Sequence, residues 1–184
     1  DNAIVPRRGP LVYPPLVSNF ENSNHLVTWA SEAILVASPK ICLVDAAGVG
    51  WAIPNNIRDK VPSNICDIVE INVATTAFNS NRYPRLRDEL WWRLREEFEA
   101  GHLSIPNDAL LMGDLNSPRY DEVAGKIKVE TKKDMKTRGI DSPNRADALM
   151  MTTVYSPDML RKMSEAKSGN KKKKKQSASS WRTV

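Results

Sequence analysis

Four apolar residues in a row, Ile41-Cys42-Leu43-Val44, run straight into Asp45 and a glycine-containing turn, Ala46-Ala47-Gly48-Val49-Gly50. An unbroken apolar run this short suits a central β-strand covered on both faces. A second run, Asp67-Ile68-Val69-Glu70-Ile71-Asn72-Val73, alternates apolar and polar residues, the period of a strand. Between them, Ile53 to Lys60 reads as a short helix. Ahead of them, Leu26, Trp29, Ala30, Ala33, Ile34 and Ala37 recur at helical spacing and predict a helix over 24–37, stopped by Pro39. Strand and helix therefore take turns along the chain, which predicts a layered α/β domain.

The flanking segments fit that scheme. Residues 3–17 read as extended, with a turn near Arg8-Gly9-Pro10, because prolines at 6, 10, 14 and 15 exclude a helix. The clearest helix spans 83–100: Leu86, Leu90, Leu94 and Phe98 form an apolar stripe broadened by Trp91, arginines and glutamates fill the other face, and Gly101 is the stop. Leu103 to Pro106 reads as a short edge strand, followed by an irregular region to Tyr120. Lys126 to Glu130 alternates as a half-exposed strand. The last helix starts at Ser142, a good N-cap with Pro143 at the first helical position, and continues to about Tyr155.

Composition excludes several classes. Of 184 residues, 41% are hydrophobic and 27% charged, enough for one domain with a real core. No stretch approaches the roughly 18 apolar residues of a membrane span, and the N-terminus lacks a signal-peptide layout. Cys42 and Cys66 lie in apolar runs and frame neither a disulfide scaffold nor a zinc site, so they read as small buried hydrophobes in a reducing compartment. The net charge of +5 comes from the end of the chain: after Ala166 there are seven basic residues and no acids, leaving 20 basic against 22 acidic residues before it. Residues 161–184, with the run Lys171 to Lys175, read as a disordered basic tail that attracts phosphate without reading sequence, or simply as a solubilising end. Residues 1–160 are the domain.

Two carboxylates stand out. Asp147 shares a helix face with Met150, Met151 and Val154 on a helix that is apolar almost all round. Burying it unpaired is costly, so a cation, a metal or the helix N-terminus must compensate, unless it only bonds locally near the helix start. Asp45 lies where an apolar strand ends, the place where ligands gather in open α/β sheets; its bland reading is a turn or capping residue. Acids from a strand end and a packed helix can converge on Mg²⁺ or Mn²⁺, and a pair of such ions can activate water for phosphodiester cleavage. Asp1, Asp114, Asp134 and Asp141 are weaker candidates for a further acid.

Lys126, Lys128, Lys132, Lys133, Lys136 and Arg138 form a basic stretch just ahead of the Asp147 helix, interleaved with Glu130 and Asp134. It reads either as a set of phosphate contacts or as the solvated face of a strand and its loop. His25 and His102 are isolated. Trp91-Trp92 fits core packing better than a base-stacking platform. Gly48-Val49-Gly50 is too short for a dinucleotide fingerprint, and the chain has no phosphate-binding Gly-x-x-x-x-Gly-Lys loop and no Ser/His/Asp or Cys/His arrangement.

Together these motifs resemble the nuclease region of large terminase subunits from tailed bacteriophages. Asp45-Ala46-Ala47-Gly48-Val49-Gly50 is similar to that family's second acidic motif, and Arg85 to Leu94, with its Trp-Trp pair, to the helix that follows. Gly101 to Pro106 resembles the next strand, Lys126 to Gly139 the basic hairpin region, and Ser142 to Leu149 the final acidic motif, with Asn144 where the family often has Asp. The matches extend over residues 1–155. The resemblance implies an RNase H-like α/β fold, a mixed sheet flanked by helices. It further implies cutting of concatemeric double-stranded DNA during genome packaging by two divalent metals, Mg²⁺ or Mn²⁺.

On this resemblance Asp45 and Asp147 would be catalytic metal ligands, Asp1 an accessory one, and Lys126, Lys128, Lys132, Lys133, Lys136 and Arg138 the DNA contacts. The family's first catalytic aspartate, in a Gly-x-Asp-x-Ala strand, and its ATPase motor have no counterpart here, which implies a nuclease domain cut short at its N-terminus. Portal and small terminase subunit would be partners of the full-length protein, in the host cytoplasm at the assembling capsid. Two alternatives stay open: a catalytically incomplete DNA-binding or assembly fragment, and another RNase H-like nuclease such as a resolvase or transposase.

Overall fold

A computed structural model describes residues 1–20, 22–46 and 52–154. The chain divides into two compact units, Asp1–Thr152 and Thr153–Val184, and the strands and helices discussed here belong to the first. The Ala47–Gly50 turn and the lysine-rich tail fall outside the described residues, whereas the last α-helix ends at Met151, short of the expected Tyr155.

The extended opening is a broken hairpin. β1 (Asn2–Ile4) pairs antiparallel with β4 (Leu16–Ser18), and β2 (Arg7–Arg8) with β3 (Leu11–Val12) inside it. Gly9, at φ +59°, makes the tight turn that a side chain would strain. The register slips by one residue between the two pairs, where Pro14 and Pro15 can donate no ladder bond. The strand expected over 103–106 is only a single parallel bridge, Leu11 to Ser104. Ser104 N–H donates to Pro10 O and Val12 N–H to Ser104 O, but Pro10 and Pro106 lack the N–H that would extend the ladder.

α1 (Ser23–Ala37) begins at Asn22, whose side chain accepts from Asn24 N–H, and ends at Ser38, in the left-handed region. β5 (Ile41–Asp45) and β6 (Asp67–Ile71) form a parallel pair bridged by α2 (Ala52–Lys60). Val27 and Ile34 of α1, Ile57 of α2, Val61, Cys66 and Ile68 make the core of this half. Burial pushes the Cys42 thiol up to about 12, so it stays protonated as a small apolar side chain. Among the described residues β5 pairs with β6 alone, and Ile41 to Val44 are partly exposed. The expectation of a strand covered on both faces is therefore not met there.

α3 (Leu86–Glu99) starts three residues after the expected Tyr83: Pro84 disfavours helical backbone at Tyr83, and Arg85, extended at φ −131°, is the N-cap whose N–H donates to Asp88. Its first N–H groups are satisfied from outside: Leu86 donates to Thr75 O and Arg87 to Val73 O, just beyond β6. The region read as irregular holds α4 (Ala109–Asn116), capped by Asp108, which accepts from Leu110 and Leu111 N–H at 2.9 Å each. β7 (Tyr120–Val123) and β8 (Lys126–Val129) form an antiparallel hairpin whose turn residues Ala124 and Gly125 both have positive φ. α5 (Lys132–Thr137) begins at Thr131, whose hydroxyl accepts from Asp134 N–H. α6 (Asn144–Met151) packs on α3 and α4, burying Leu149 and Met150 with Leu90, Leu94 and Leu111. No helix among the described residues is long and apolar enough to cross a membrane.

Candidate functional site

The site is built around the start of α6. Ser142 does not cap this helix: Pro143 occupies the cap position without a side-chain bond, and Asp147 N–H donates to Pro143 O at 2.7 Å. The missing cap comes from α4. Asp114 Oδ2 accepts from Arg145 N–H at 3.0 Å and lies 3.8 Å from the Arg145 guanidinium. Burial pushes the Asp114 carboxyl up, opposed by the Arg145 amide and charge. So Asp114 anchors the helix.

Asp147 sits in the first turn of α6 and is mostly buried, with 14% of its side chain exposed. Trp91 Nε1–H of α3 donates to its Oδ1 at 3.1 Å. Lys132 Nζ of α5 lies 2.8 Å from its Oδ2, and Arg87 Nη2 of α3 lies 3.7 Å from its Oδ1. Two cations and an indole thus offset the buried charge, as the sequence required of something. Neither ion pair has hydrogen-bond geometry, so Asp147 Oδ2 and Arg87 Nε and Nη2 are buried without a hydrogen bond. Arg87 uses its Nη1–H on Glu130 O at 2.8 Å and lies over the Trp91 ring at 5.8 Å.

The first turn of α3 also grips the end of β8. Asp88 is buried and takes Val129 N–H on Oδ1 at 2.9 Å and Arg85 N–H on Oδ2 at 3.1 Å. Glu89 is equally buried, held by Arg93 and by Asn79 N–H. Glu89 belongs to the polar face opposite the apolar stripe of α3, yet both acids are buried. Their burial follows from the loops after β6 and the β7–β8 hairpin folding over α3, contacts that helical spacing does not carry.

The basic stretch divides by role. Lys132 pairs with Asp147. Arg138 lays its guanidinium on Glu130, with bonds of 2.7 and 2.6 Å, and reaches Ser117 O at 3.0 Å. That fork holds the Glu130 carboxyl below its usual value. Lys128, Lys133 and Lys136 are exposed, Lys126 is half-buried, and none of the four makes an ion pair among the described residues.

Asp45 is exposed at the C-terminal end of β5, in register with Ile71. The chain leaving β6 meets the Asp147 neighbourhood two residues later, where Val73 O takes the backbone N–H of Arg87. Asp1 is exposed at the start of the segment that packs against α6 through β1. Among the described residues, no group of three or more His, Cys, Asp or Glu side chains is gathered to hold a metal. Asp134 bonds Thr131 within the α5 cap. Sequence reasoning missed Arg87 altogether, read Trp91 only as packing and Asp114 only as a weak candidate for a further acid; a buried acid demands partners, but their identity depends on how α3, α4 and α6 pack.

No protein-family model matches the chain, and no curated protein matches it. Solved structures do. The nuclease domain of the large terminase subunit gp2 of bacterial virus Sf6 superposes with a TM-score of 0.75 at 20% identity, covering 85% of this chain and 84% of that chain. A point mutant of that domain with manganese gives 0.75 at 19% identity over 84% and 83%. A mutant with calcium gives 0.74 at 19% over 83% and 81%. The chain has the α/β, RNase H-like fold of these domains.

Proposed function

We propose that this chain is the nuclease domain of a large terminase subunit of the tailed-phage type, a divalent-metal-dependent endonuclease that cuts concatemeric double-stranded DNA during genome packaging. The observation that carries the reading is the fold, shared over more than four-fifths of both chains with a terminase nuclease domain whose structures include manganese and calcium. The motifs around Asp45, Trp91-Trp92 and Asp147 agree with it.

Asp147 fits a hard cation in one respect: its buried Oδ2 makes no hydrogen bond and is balanced by the Lys132 ammonium at 2.8 Å, whose place a metal would take. Asp147 and Asp45 would hold Mg²⁺ or Mn²⁺, with Asp1 as an accessory ligand. A metal held by these residues would supply Lewis-acid activation of a water and of the leaving oxygen. The protein's own residues prepare that place. Trp91 fixes one carboxylate oxygen, Arg87 and Lys132 balance its charge, and Asp114 holds the turn of α6 that carries it. Lys126, Lys128, Lys133 and Lys136 attract the phosphate backbone without reading sequence. Lys132 and Arg138 belong to the same basic stretch and add to that field from their internal partners.

In this reading residues 1–160 form the nuclease domain and 161–184 a basic extension that strengthens non-specific attraction. The portal and the small terminase subunit are partners through the full-length protein, in the host cytoplasm at the assembling capsid.

The test is plasmid nicking with Mn²⁺ or Mg²⁺. Cleavage that requires metal and is lost in Asp147→Asn and Asp45→Asn supports the assignment. Salt-sensitive DNA binding without nicking overturns it in favour of an inert DNA-binding or assembly fragment. That second reading draws on the absence of a three-acid cluster among the described residues and on the cation already seated at Asp147.

A further inference from the structure

We infer that the cleft walled by α3, α4 and the start of β7 is a binding site for a planar aromatic ring carrying an anionic group, the chemistry of a nucleotide. Its volume is about 570 Å³, within the range of small-molecule sites. The floor is apolar: Trp91, Leu94 and Phe98 come from α3, Met112 and Leu115 from α4. The mouth is aromatic and cationic. Trp92 and Tyr120 meet edge-to-face at 5.0 Å, and the Arg95 guanidinium lies 4.6 Å from the Trp92 ring and 5.5 Å from the Tyr120 ring. Tyr120 is half exposed, so this rim stands open to solvent.

The polar groups at the mouth select the charge of the guest. Arg95 is tied to Glu99 at 2.8 Å, and the Asn116 amide to Met112 O at 2.7 Å. Arg119 is exposed: its backbone N–H donates to Glu130 Oε2 at 3.1 Å and its charge acts on that carboxylate, while its guanidinium donates no hydrogen bond among the described residues. Arg95 and Arg82 already lie over the Trp92 ring, at 4.6 and 5.6 Å, so a flat ring entering between the Arg95–Trp92 stack and the α4 wall gains cation–π contact with Arg95 and apolar contact with Met112 and Leu115, and places an attached phosphate near Arg119. Glu99, paired with Arg95, also lines the cleft and disfavours an anion beside it.

The guest would be felt at Asp147. Trp91 walls the cleft with its ring and gives its only N–H to the Asp147 carboxylate. Free nucleotides and unpaired nucleotides of a DNA strand share this chemistry. The inference does not need the nuclease reading, because binding can be measured with metal removed.

The experiment titrates the full chain, in EDTA, with deoxyadenosine 5′-monophosphate, with deoxyadenosine and with a short oligodeoxyadenylate, read by calorimetry and tryptophan emission. Saturable one-to-one binding of the monophosphate is expected, weakened about threefold or more by Arg119→Ala and abolished by Met112→Trp, which fills the cleft from a partly exposed position. An oligonucleotide at least about tenfold tighter than the monophosphate, with the same sensitivity to Met112→Trp, identifies a strand as the guest; equal affinities identify the free nucleotide. Binding of neither, or binding unmoved by both variants while their circular dichroism matches the parent, overturns the inference. Cleavage lost in the nicking assay with cleft binding intact would sink the nuclease reading alone.

Discussion

Lys132 Nζ stands 2.8 Å from Asp147 Oδ2, one group half exposed and the other buried. The acid therefore carries a cation that can leave toward solvent without unfolding anything. Lys132→Ala is expected to cost little stability, about 0.5–1 kcal/mol in EDTA, because half the pair is screened by water. It also removes a positive charge from the acid. Mn²⁺ should then raise the thermal midpoint of Lys132→Ala more than that of the parent. An equal or smaller rise, followed by scanning fluorimetry over a metal series, would contradict this.

Trp91→Phe keeps most of the apolar bulk but leaves Asp147 Oδ1 with Arg87 alone. A lost hydrogen bond to a charged acceptor corresponds to about 1.5–3 kcal/mol. Urea denaturation should show a loss in that range, and Asp147→Asn should suffer less from the same change, since its uncharged amide needs the indole less. The pair forms a double-mutant cycle.

Asp114→Ala strips α6 of its only side-chain cap. The expected loss is about 1–2 kcal/mol, whereas Ser142→Ala, at the position that merely looks like the cap in sequence, should stay within about 0.5 kcal/mol of the parent. Reversed magnitudes in chemical denaturation would mean that α6 starts elsewhere.

The two shifted carboxyls respond to acid in opposite directions. Glu130, held below its ordinary 4.5 by Arg138, contributes stability that is complete above 4.5 and disappears as pH falls through its lowered value. Asp114, pushed above its ordinary 3.8 by burial, carries a cost at neutral pH that shrinks as pH falls through its raised value. Glu130→Gln should therefore lie below the parent at neutral pH and converge with it in strong acid. Asp114→Asn should fall furthest behind the parent in acid, where the native carboxyl is already protonated at little cost. Unfolding midpoints across the acid range decide both.

Replacing Lys128, Lys133 and Lys136 with Ala should weaken binding to all duplex sequences alike. If each meets one phosphate, the slope of log affinity against log salt drops by about 0.9 per lysine. Arg138→Ala should instead lower the melting temperature, because its guanidinium is committed to Glu130 and Ser117.

What could be read from sequence was whatever a single element states about itself. The apolar run of β5, the stripe of α3 and the Asn22-capped α1 each carry their own period. α4 was invisible because Leu110 and Met112 are exposed apolar residues that blur its face, and only Leu111 is fully buried. β7 was invisible because all four of its residues are exposed and show no apolar alternation. At the site, the need for a counter-charge on Asp147 was legible, but the choice of Lys132 and Arg87 was not. Ser142 misled for the same reason: Asp114 reaches α6 across thirty-one positions of chain, and no local spacing announces it.

The opening turn of α3 has one more implication. Neighbouring residues there serve different masters: Asp88 clasps the amide of Val129, and Arg87 reaches Glu130 O and the carboxylate of Asp147. Fraying that single turn would release the end of the β7–β8 hairpin and the acid together. Hydrogen exchange at the Val129 amide would therefore serve as a distant gauge of how firmly Asp147 is held, slow where the turn is intact and quickening with it when it melts.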